Sequence, residues 1–324
     1  MSLPLFEGLE DEERAPQAER LAERLRLQAE RGIYWGTSSW KYPGWLGSIY
    51  RTEGYQTRGK FSKKAFDENC LSEYARTFPV VCGDFAFYQF PTVEFWRRLF
   101  GRTPEGFLFA FKVPEEITVP RWPGHARYGA RAGRENEGFL DVGLLESLFL
   151  ERLRPYEGRV ATLIFEFGTM SKSVMGDRVD FFERLDPFLS ALPAGFRYSV
   201  EIRNPEYLGD DYFSLLSSHN VAHVFNAWTR MPEIGDQIGF GGSFSADFTV
   251  ARALLAKDRP YEAAVSSFEP YEHVQEVNLG VRKALGEIAR ASMKRRKPAF
   301  LFVNNRLEGH APSTIEAVVD GLEG

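Results

Sequence analysis

The stretch Tyr198-Ser199-Val200-Glu201-Ile202-Arg203-Asn204 is one of eight short apolar runs that finish on polar residues or in a polar loop. The other seven runs cover residues 33–40, 84–88, 107–112, 161–167, 223–228, 246–252 and 300–305. Helical patterns lie between them, among them residues 139–156, 177–192 and 274–294, and a last one follows at 311–322. Eight strands alternating with helices predict an α/β protein with a single (β/α)8 barrel of the TIM type, whose polar strand ends all face one mouth.

The residues before the first strand predict a helical extension. From about residue 10 to residue 31 the sequence is charged and places Leu21, Ala22, Leu25 and Ala29 at helical spacing. We therefore expect an N-terminal helical extension over residues 1–31 and the barrel over residues 32–324. Such a helix either caps the bottom of the barrel or meets a partner, and the first interpretation is favoured.

The composition is that of an ordinary globular protein with a net charge of -5. This charge argues against a surface devoted wholly to nucleic acid, but it does not exclude local basic patches. Cys70 and Cys82 are expected to be buried reduced thiols rather than a disulfide scaffold. The sequence has no apolar stretch near ~20 residues and no secretory pattern at its start, so we expect a cytoplasmic protein without membrane contact. The oligomeric state is left open.

Alternation along each predicted strand separates the side chains under the helices from those that face the barrel interior. Large apolar residues belong beneath the helices, so the polar set should line the interior and its mouth. The side chains expected to converge there are Asp84, Tyr88, Lys112, Glu166, Glu201 and Arg203. Charges at strand ends usually meet a ligand. The alternative is a salt-bridged plug, because buried ionisable groups are costly unless they pair.

The residues 36–45, Gly-Thr-Ser-Ser-Trp-Lys-Tyr-Pro-Gly-Trp, resemble the opening signature of the DUF72 (YecE-like) family. Residues 103–112, 201–205, 302–305 and 309–312 resemble later blocks, so the similarity spans about residues 33–322. The resemblance implies a TIM-type barrel and supplies no activity, because the family is a domain of unknown function. Asp84 lies where many members carry a glutamate, and the usual block of the seventh strand is not found over 239–252. These departures indicate a divergent subgroup.

Two long connections place positive charge and aromatic rings at the predicted mouth. Residues 41–66 contain Lys41, Arg51, Arg58, Lys60, Lys63 and Lys64, and residues 114–137 contain Arg121, Arg127, Arg131 and Arg134. Basic groups bind phosphates and aromatic faces stack on bases. The favoured hypothesis is a hydrolase acting on a phosphate-bearing ligand, either a nucleotide or a nucleic acid. Lys112 and Arg203 would then hold the anion, with Glu166 or Glu201 as general base.

Two alternatives stay open. A glycosidase-like enzyme would use two carboxylates as catalytic groups, with Trp40 and Trp45 stacking on a sugar. A non-catalytic binding or scaffold protein would use the same mouth. No cofactor is evident. A divalent metal held by His310, Asp84 and Glu166 has weak support from residue type alone.

The candidate site combines acid–base groups with groups that suit ligand binding. The candidate catalytic residues are Glu201, Glu166, Asp84 and His310. The candidate ligand-binding residues are Lys112, Arg203, Trp40, Asn304, Asn226, Asn305, Tyr88 and Ser38. The asparagines are included because their side chains both donate and accept hydrogen bonds. His219 and His223 lie near the predicted start of the sixth strand, so a structural role is expected for both.

Overall fold

A computed structural model describes residues 16–323, and its centre is a closed barrel of eight parallel strands. The strands are β1 (Ile33–Thr37), β2 (Val80–Gly83), β3 (Leu108–Lys112), β4 (Val160–Phe167), β5 (Tyr198–Ile202), β6 (Ala222–Ala227), β7 (Thr249–Ala253) and β8 (Ala299–Val303). Each strand pairs with the next in chain order and β8 closes on β1, so the predicted (β/α)8 barrel is confirmed.

Helices surround the barrel and follow its strands in chain order. They are α1 (Pro16–Glu30), α2 (Lys63–Thr77), α3 (Val93–Phe100), α4 (Glu115–Thr118), α5 (Val142–Leu145), α6 (Glu151–Leu153), α7 (Lys172–Met175), α8 (Arg178–Ser190), α9 (Asp210–Ser218), α10 (Ile234–Gly239), α11 (Tyr261–Phe268), α12 (Leu279–Arg295), α13 (Asn305–Glu308) and α14 (Ala311–Glu323). A π-helical segment, Glu146–Leu150, joins α5 to α6. A small hairpin pairs Gln56–Thr57 with Lys60–Phe61 in the connection after β1.

The N-terminal helix α1 packs on the body of the protein. Leu21 and Leu25 are fully buried. Gln17 donates to Ser313 Oγ at 3.1 Å and to Glu316 Oε2 at 2.7 Å, which ties α1 to α14. Residues 10–15 of the predicted helix lie outside the described residues. Within the described range, α1 is therefore an integral part of the packing of α14, α2 and β1.

Side chains alternate across the barrel wall as the sequence pattern predicts. The helix-facing core contains Phe109, Phe111 and Phe165. A separate apolar cluster fills the barrel interior, and it includes Val80, Cys82, Ala110, Ile164, Val224, Val250, Phe300 and Phe302. Polar residues that continue the inward positions therefore emerge at the mouth above this apolar filling.

The prediction of a strand over residues 84–88 is wrong. The strand β2 ends at Gly83, and the next residues form a turn in which Phe87 N donates to Asp84 O at 3.0 Å. A Cβ atom on Gly83 would lie 1.9 Å from the Phe85 ring, so a larger residue at position 83 would require that ring to move. The turn leaves Asp84 at the mouth, but Tyr88 is 58% exposed.

Strand pairing around the barrel is uneven. The strand β1 pairs with β8 over five residue pairs but with β2 over only two, and β5 also pairs with β6 over two. The short registers are Gly36–Val80 and Thr37–Val81 for β1–β2, and Ser199–Ala222 and Val200–His223 for β5–β6. We call these two places the short seams.

A side chain reinforces the first short seam. The hydroxyl of Tyr74, on α2, accepts a hydrogen bond from Thr37 N at 3.0 Å and donates one to Val80 O at 3.1 Å. A Cβ atom on Gly36 would lie 2.1 Å from Val80 O. The close approach of β1 to β2 therefore requires glycine at position 36.

Candidate functional site

Six charged side chains meet at the carboxyl ends of five strands, and we call them the ion cluster. They are Asp84 after β2, Lys112 on β3, Glu166 on β4, Glu201 and Arg203 at the end of β5, and Arg252 on β7. Lys112 Nζ lies 3.2 Å from Glu166 and 3.5 Å from Asp84. Arg252 lies 2.7 Å from Glu166 and also bonds Glu201. Arg203 lies 3.3 Å from Glu166 and contacts Glu201.

Ion pairing outweighs the effect of burial on the pKa values of Glu166 and Lys112 in this cluster. Burial alone would raise the pKa of Glu166, but Lys112, Arg203 and Arg252 together hold that pKa well below its ordinary value. Burial opposes the charge of Lys112, yet the carboxylates of Glu166 and Asp84 raise its pKa. Glu201 is fully buried between two guanidinium groups. The low pKa of Glu166 argues against it as a general base, since a good base has a pKa near the working pH, and the full burial of Glu201 keeps that carboxylate out of reach of a ligand.

Arg252 is the member of the ion cluster that is missing from the predicted set. The predicted seventh strand starts at residue 246, whereas β7 starts at Thr249. The inward-facing Val250 lies two residues before Arg252, so the alternation that identified the other members also places Arg252 inside the barrel. The sequence therefore contains the signal that identifies Arg252. With Arg252 included, three cations balance the three carboxylates of the ion cluster.

A cavity of about 480 Å³, the first cavity, opens beside the ion cluster. Its walls come from the chain after β1, from α2, from the turn after β2, from α3, and from the chain after β8. The predicted residues that line it are Ser38, Trp40, Asp84 and Asn304. Its size lies in the range of small-molecule sites.

The lining of the first cavity carries more positive than negative side chains. Its cations are Lys41, Arg98, Arg102 and Arg306, and its carboxylates are Asp67 and Asp84. Asp67 is engaged by Lys63 at 3.1 Å. The guanidinium of Arg306 lies 4.5 Å from the centre of the Tyr261 ring, and Lys41 Nζ lies 5.9 Å from that of Trp40. The cavity therefore combines cations with aromatic rings.

Several buried polar atoms of the first cavity have no hydrogen-bond partner among the described residues. They are Ser38 Oγ, Trp40 Nε1 and Arg306 Nε. A buried donor without a partner costs about 1–3 kcal/mol, so such atoms mark places where a ligand or water would be held. Burial also raises the pKa of Tyr42, on the same wall, to about 12.

Asp84 occupies a distinct position in the site. Its side chain is 48% exposed, whereas those of Glu166 and Glu201 are 16% and 0% exposed. Of the cluster's three carboxylates, it alone lines the first cavity within the described part of the chain. Lys112 at 3.5 Å and Arg252 at 3.9 Å hold it from the barrel side. Asp84 is thus the carboxylate that a ligand can reach.

The predicted asparagines lie in three different environments. Asn226 is fully buried beside Arg252 on the neighbouring strand, and its Oδ1 has no partner among the described residues. Asn304 lines the first cavity, although its Oδ1 also accepts from Arg306 N at 2.9 Å. Asn305 Oδ1 accepts from Ala311 N at 2.7 Å, which fixes the start of α14. Asn305 therefore has a structural task.

Neither Tyr88 nor His310 joins the ion cluster. The exposed Tyr88 ring packs under the guanidinium of Arg127, 4.5 Å away. His310 is 1% exposed, contacts Ser313 Oγ at 2.8 Å and packs edge-on against Trp45. Burial lowers its pKa to about 4, so it is neutral at pH 7. Within residues 16–323, no three His, Cys, Asp or Glu side chains are grouped so that they could hold a metal ion.

The two other histidines of the sequence argument lie away from the mouth. His219 pairs with Asp186 at 2.6 Å on the surface. His223 is buried between helices and β6, where Nε2 lies 3.2 Å from Gln237 Oε1 and Nδ1 lies 3.3 Å from the Tyr212 hydroxyl. Burial lowers the pKa of His223 to about 4. The contacts of His219 and His223 with neighbouring side chains agree with the structural role expected for both residues.

The basic loops are less available than their sequences indicate. In the connection after β3, Arg127 pairs with Glu115 at 3.0 Å, and Arg131 pairs with Glu116 at 2.9 Å. Arg121 also lies 3.6 Å from a carboxylate of the same connection. Glutamates at the start of the loop neutralise arginines further along it, so charge counts along the sequence overstate the free positive charge at the mouth.

Among the helices described, none is both long enough and apolar enough to cross a bilayer.

A family model described as "Protein of unknown function DUF72" matches residues 34–324. The chain is 26% identical to the UPF0759 protein YecE of Escherichia coli K12 and of strain O157:H7 over 175 residues, which are 54% of this chain and 50% of each relative. The chain thus spans about half the length of the curated relatives it matches. It resembles the structure of a DUF72 family protein, TM1631, from Thermotoga maritima MSB8 (TM-score 0.61, 20% identity, 90% of this chain and 99% of that one). A second DUF72 family protein, EF0366 from Enterococcus faecalis V583, gives a TM-score of 0.55 at 16% identity, with 90% and 98% covered. These structural likenesses show the fold.

Proposed function

This chain belongs to the DUF72 family, whose description assigns no activity, and we propose from the site that it binds a phosphate-bearing aromatic ligand of the nucleotide class and hydrolyses its phosphoester. The observation that carries this proposal is the lining of the first cavity. Four cationic side chains line it with two carboxylates, both of which are ion-paired, and aromatic rings lie between them. Arg98 lies 3.7 Å from Glu94. The cations of the lining without an ion pair among the described residues are therefore Lys41, Arg102 and Arg306.

The cations that suit the anion differ from those the sequence indicates. Lys112 and Arg203 are each neutralised by carboxylates of the ion cluster. Lys41 and Arg306, in contrast, line the first cavity and form no ion pair within 4.0 Å among the described residues. Charge-assisted hydrogen bonds to phosphate are among the stronger polar contacts in proteins. Trp40 is only 6% exposed, whereas Tyr261 in the same lining is 44% exposed, and stacking of a base on such a ring adds about 1–3 kcal/mol.

Asp84 is the proposed general base for hydrolysis. It would take a proton from water while the water oxygen forms a bond to phosphorus. The bond from phosphorus to the leaving oxygen breaks, its electron pair stays on that oxygen, and solvent supplies the proton it needs. Lys112 and Arg252 would hold Asp84 in position from the barrel side. A positioned base contributes about 10²–10⁴-fold to such a reaction.

The glycosidase alternative needs two carboxyl groups on either side of an open cleft. Glu201 is fully buried, and Glu166 contacts three cations. In the described chain, the carboxylates that line the first cavity are Asp84 and Asp67, and Asp67 is engaged by Lys63 at 3.1 Å. A net positive lining also fits a neutral sugar poorly. A non-catalytic binding protein would hold the same ligand, and a measurement of phosphate release distinguishes it from a hydrolase.

Ligand binding is tested by calorimetric titration with adenosine mono- and triphosphate and with xylose and glucose as neutral ligands. We expect a nucleotide to bind and Arg306→Gln to weaken it about tenfold or more. Lys297→Gln is the matched control, since this exposed cation lies beside β8 at the end of the barrel opposite the mouth. Binding of the sugars alone, or nucleotide binding that Arg306→Gln leaves unchanged, would refute the assignment.

Hydrolysis is tested by phosphate release from the nucleotide that binds best. Asp84→Asn should lower turnover about 100-fold or more while the ligand still binds. A melting curve close to that of the wild type would show that Asp84→Asn folds. Tight binding without turnover by the wild type would support the non-catalytic alternative instead.

A further inference from the structure

A second cavity, of about 590 Å³, lies above the ends of β4, β5 and β6. It is formed by the loop that leads from β4 into α8, by the loop after β5, and by Arg230 after β6. None of the proposed steps in the first cavity uses it. Its lining includes Ser171, Lys172, Arg178, Arg203, Glu206 and Arg230.

The carboxylates in this second cavity are already engaged, whereas two of its cations are not. Asp177 accepts from Val179 N at 2.8 Å as the N-cap of α8, and Glu206 accepts from Asn204 at 2.7 Å. Lys172 and Arg230 are exposed and form no ion pair within 4.0 Å in the described chain. The lining of the second cavity thus holds four cations and two carboxylates, and two of the cations have no ion-pair partner in the described part of the chain and remain available to an anion.

Arg203 links the second cavity to the ion cluster. It is 5% exposed, and its guanidinium lies 4.1 Å from the centre of the Trp228 ring. One face of the guanidinium thus packs against Trp228, and one of its amino groups contacts the carboxylates of Glu166 and Glu201. The other amino group, Nη1, has no hydrogen-bond partner among the described residues. This buried donor without a partner is a second observation, beside the two unpaired cations, that indicates a place for a hydrogen-bond acceptor such as a phosphate oxygen.

The two cavities lie on opposite sides of the mouth. The first is built around β1 and the second around β5, and β5 is four strands from β1 in either direction around the ring of eight. Strands about 4.8 Å apart and tilted by about 36° make such a barrel about 15 Å across. The ion cluster lies between the cavities, with Asp84 on the wall of one and Arg203 on the wall of the other.

From this arrangement we infer that the second cavity is a second phosphate site and that the ligand class of the mouth is a single-stranded oligonucleotide. This inference rests on the proposed function of the first cavity. One phosphate cannot occupy two sites on opposite sides of a barrel about 15 Å across, whereas a strand of a few nucleotides spans them and passes over Asp84. The length agrees with the ~4–16 nucleotides that grooves binding single strands commonly cover.

The test measures anisotropy of a 5′-labelled hexathymidylate and, in parallel, calorimetric binding of thymidine monophosphate. The hexamer should bind wild type about tenfold tighter than the mononucleotide. In Lys172→Gln/Arg230→Gln, the ratio of the two affinities should fall about tenfold, and the slope of log affinity against log salt should fall by about 1 for each lost phosphate contact. Lys297→Gln should leave both quantities as in the wild type.

The outcomes separate this inference from the function it rests on. If the mononucleotide binds but the hexamer binds no tighter, or if the double variant keeps the wild-type ratio, the second site is refuted and the proposed function stands. If neither probe binds, the proposed function fails and this inference fails with it. A tighter complex with a duplex of the same sequence would also overturn the single-strand assignment.

Discussion

Replacing Arg252 by methionine should destabilise the folded protein by about 3–5 kcal/mol, the usual cost of removing one partner of a buried ion pair. Arg252 is 2% exposed and bonds both Glu201 and Glu166. Its removal leaves Glu201 with Arg203 as its remaining cation, in a site with no access to solvent. The cluster would then hold three carboxylates against two cations.

The assay is urea unfolding followed by tryptophan fluorescence and circular dichroism. The matched control is Arg97→Met, because the pair of Arg97 with Glu94 lies on the exposed surface of α3, and its loss should leave stability unchanged within error. A double variant that combines Arg252→Met with Glu201→Gln should lose about 2 kcal/mol less than the sum of the two single losses, since the buried carboxylate that has lost one of its two cations is then replaced by a neutral amide. The reasoning is refuted if Arg252→Met is no more destabilising than Arg97→Met.

Three further predictions concern the stability of the barrel and the accessibility of its interior. Because burial lowers the pKa of His223 from 6.5 to about 4, the unfolded state takes up the proton first. Stability should therefore be complete above about pH 6.5 and fall by up to about 3 kcal/mol as the pH drops to about 4, and urea midpoints of His223→Gln should show a shallower decline. Gly36→Ala should cost several kcal/mol or prevent folding, because the new Cβ would meet Val80 O, whereas Gly54→Ala, with open space around its Cβ, should melt close to the wild type. The Cys82 thiol, whose pKa burial raises to about 12, should react with a thiol reagent only in denaturant; rapid labelling of the native protein would contradict the packing.

Much of the barrel follows from short-range patterns. Alternation within a strand depends only on backbone geometry, so Lys112, Glu166 and Glu201 could be assigned to the interior from their neighbours in sequence. The error at residues 84–88 has a local cause. An apolar run with aromatic residues is as compatible with a turn packed on the core as with a strand, and here the Phe85 ring lies where a Cβ of residue 83 would be, a space that Gly83 leaves open.

The electrostatics of the site were harder to predict because they depend on distance between segments. The sequence indicates which groups are charged, but not that Arg252 reaches Glu201 across the barrel, or that Arg127 folds back on Glu115. These contacts change the assignment of roles. Glu201 is held by two guanidinium groups and has no access to solvent, whereas Asp84 is the cluster carboxylate that faces an accessible cavity.

The position of His310 illustrates the same limit. The loop after the last strand belongs to the mouth, and this one histidine was expected to face it. The structure instead uses both ring nitrogens in contacts with Ser313 and Ser48, at 2.8 Å and 3.4 Å. Sequence position identifies the end of the barrel at which a loop lies, but the direction of its side chains depends on the helix that follows.

The two short seams lie on opposite sides of the ring, and they divide the barrel into two four-stranded halves, β2–β5 and β6–β1. Five members of the ion cluster belong to the first half, and Arg252 is the described member that belongs to the second. Arg252 therefore joins the two halves at the mouth of the barrel. The chain segments that follow the short seams line the two cavities at this same end. Its loss should speed amide hydrogen exchange at β1–β2 and β5–β6 before the rest of the barrel is affected, and a ligand that bridges both cavities should slow exchange at those same two places.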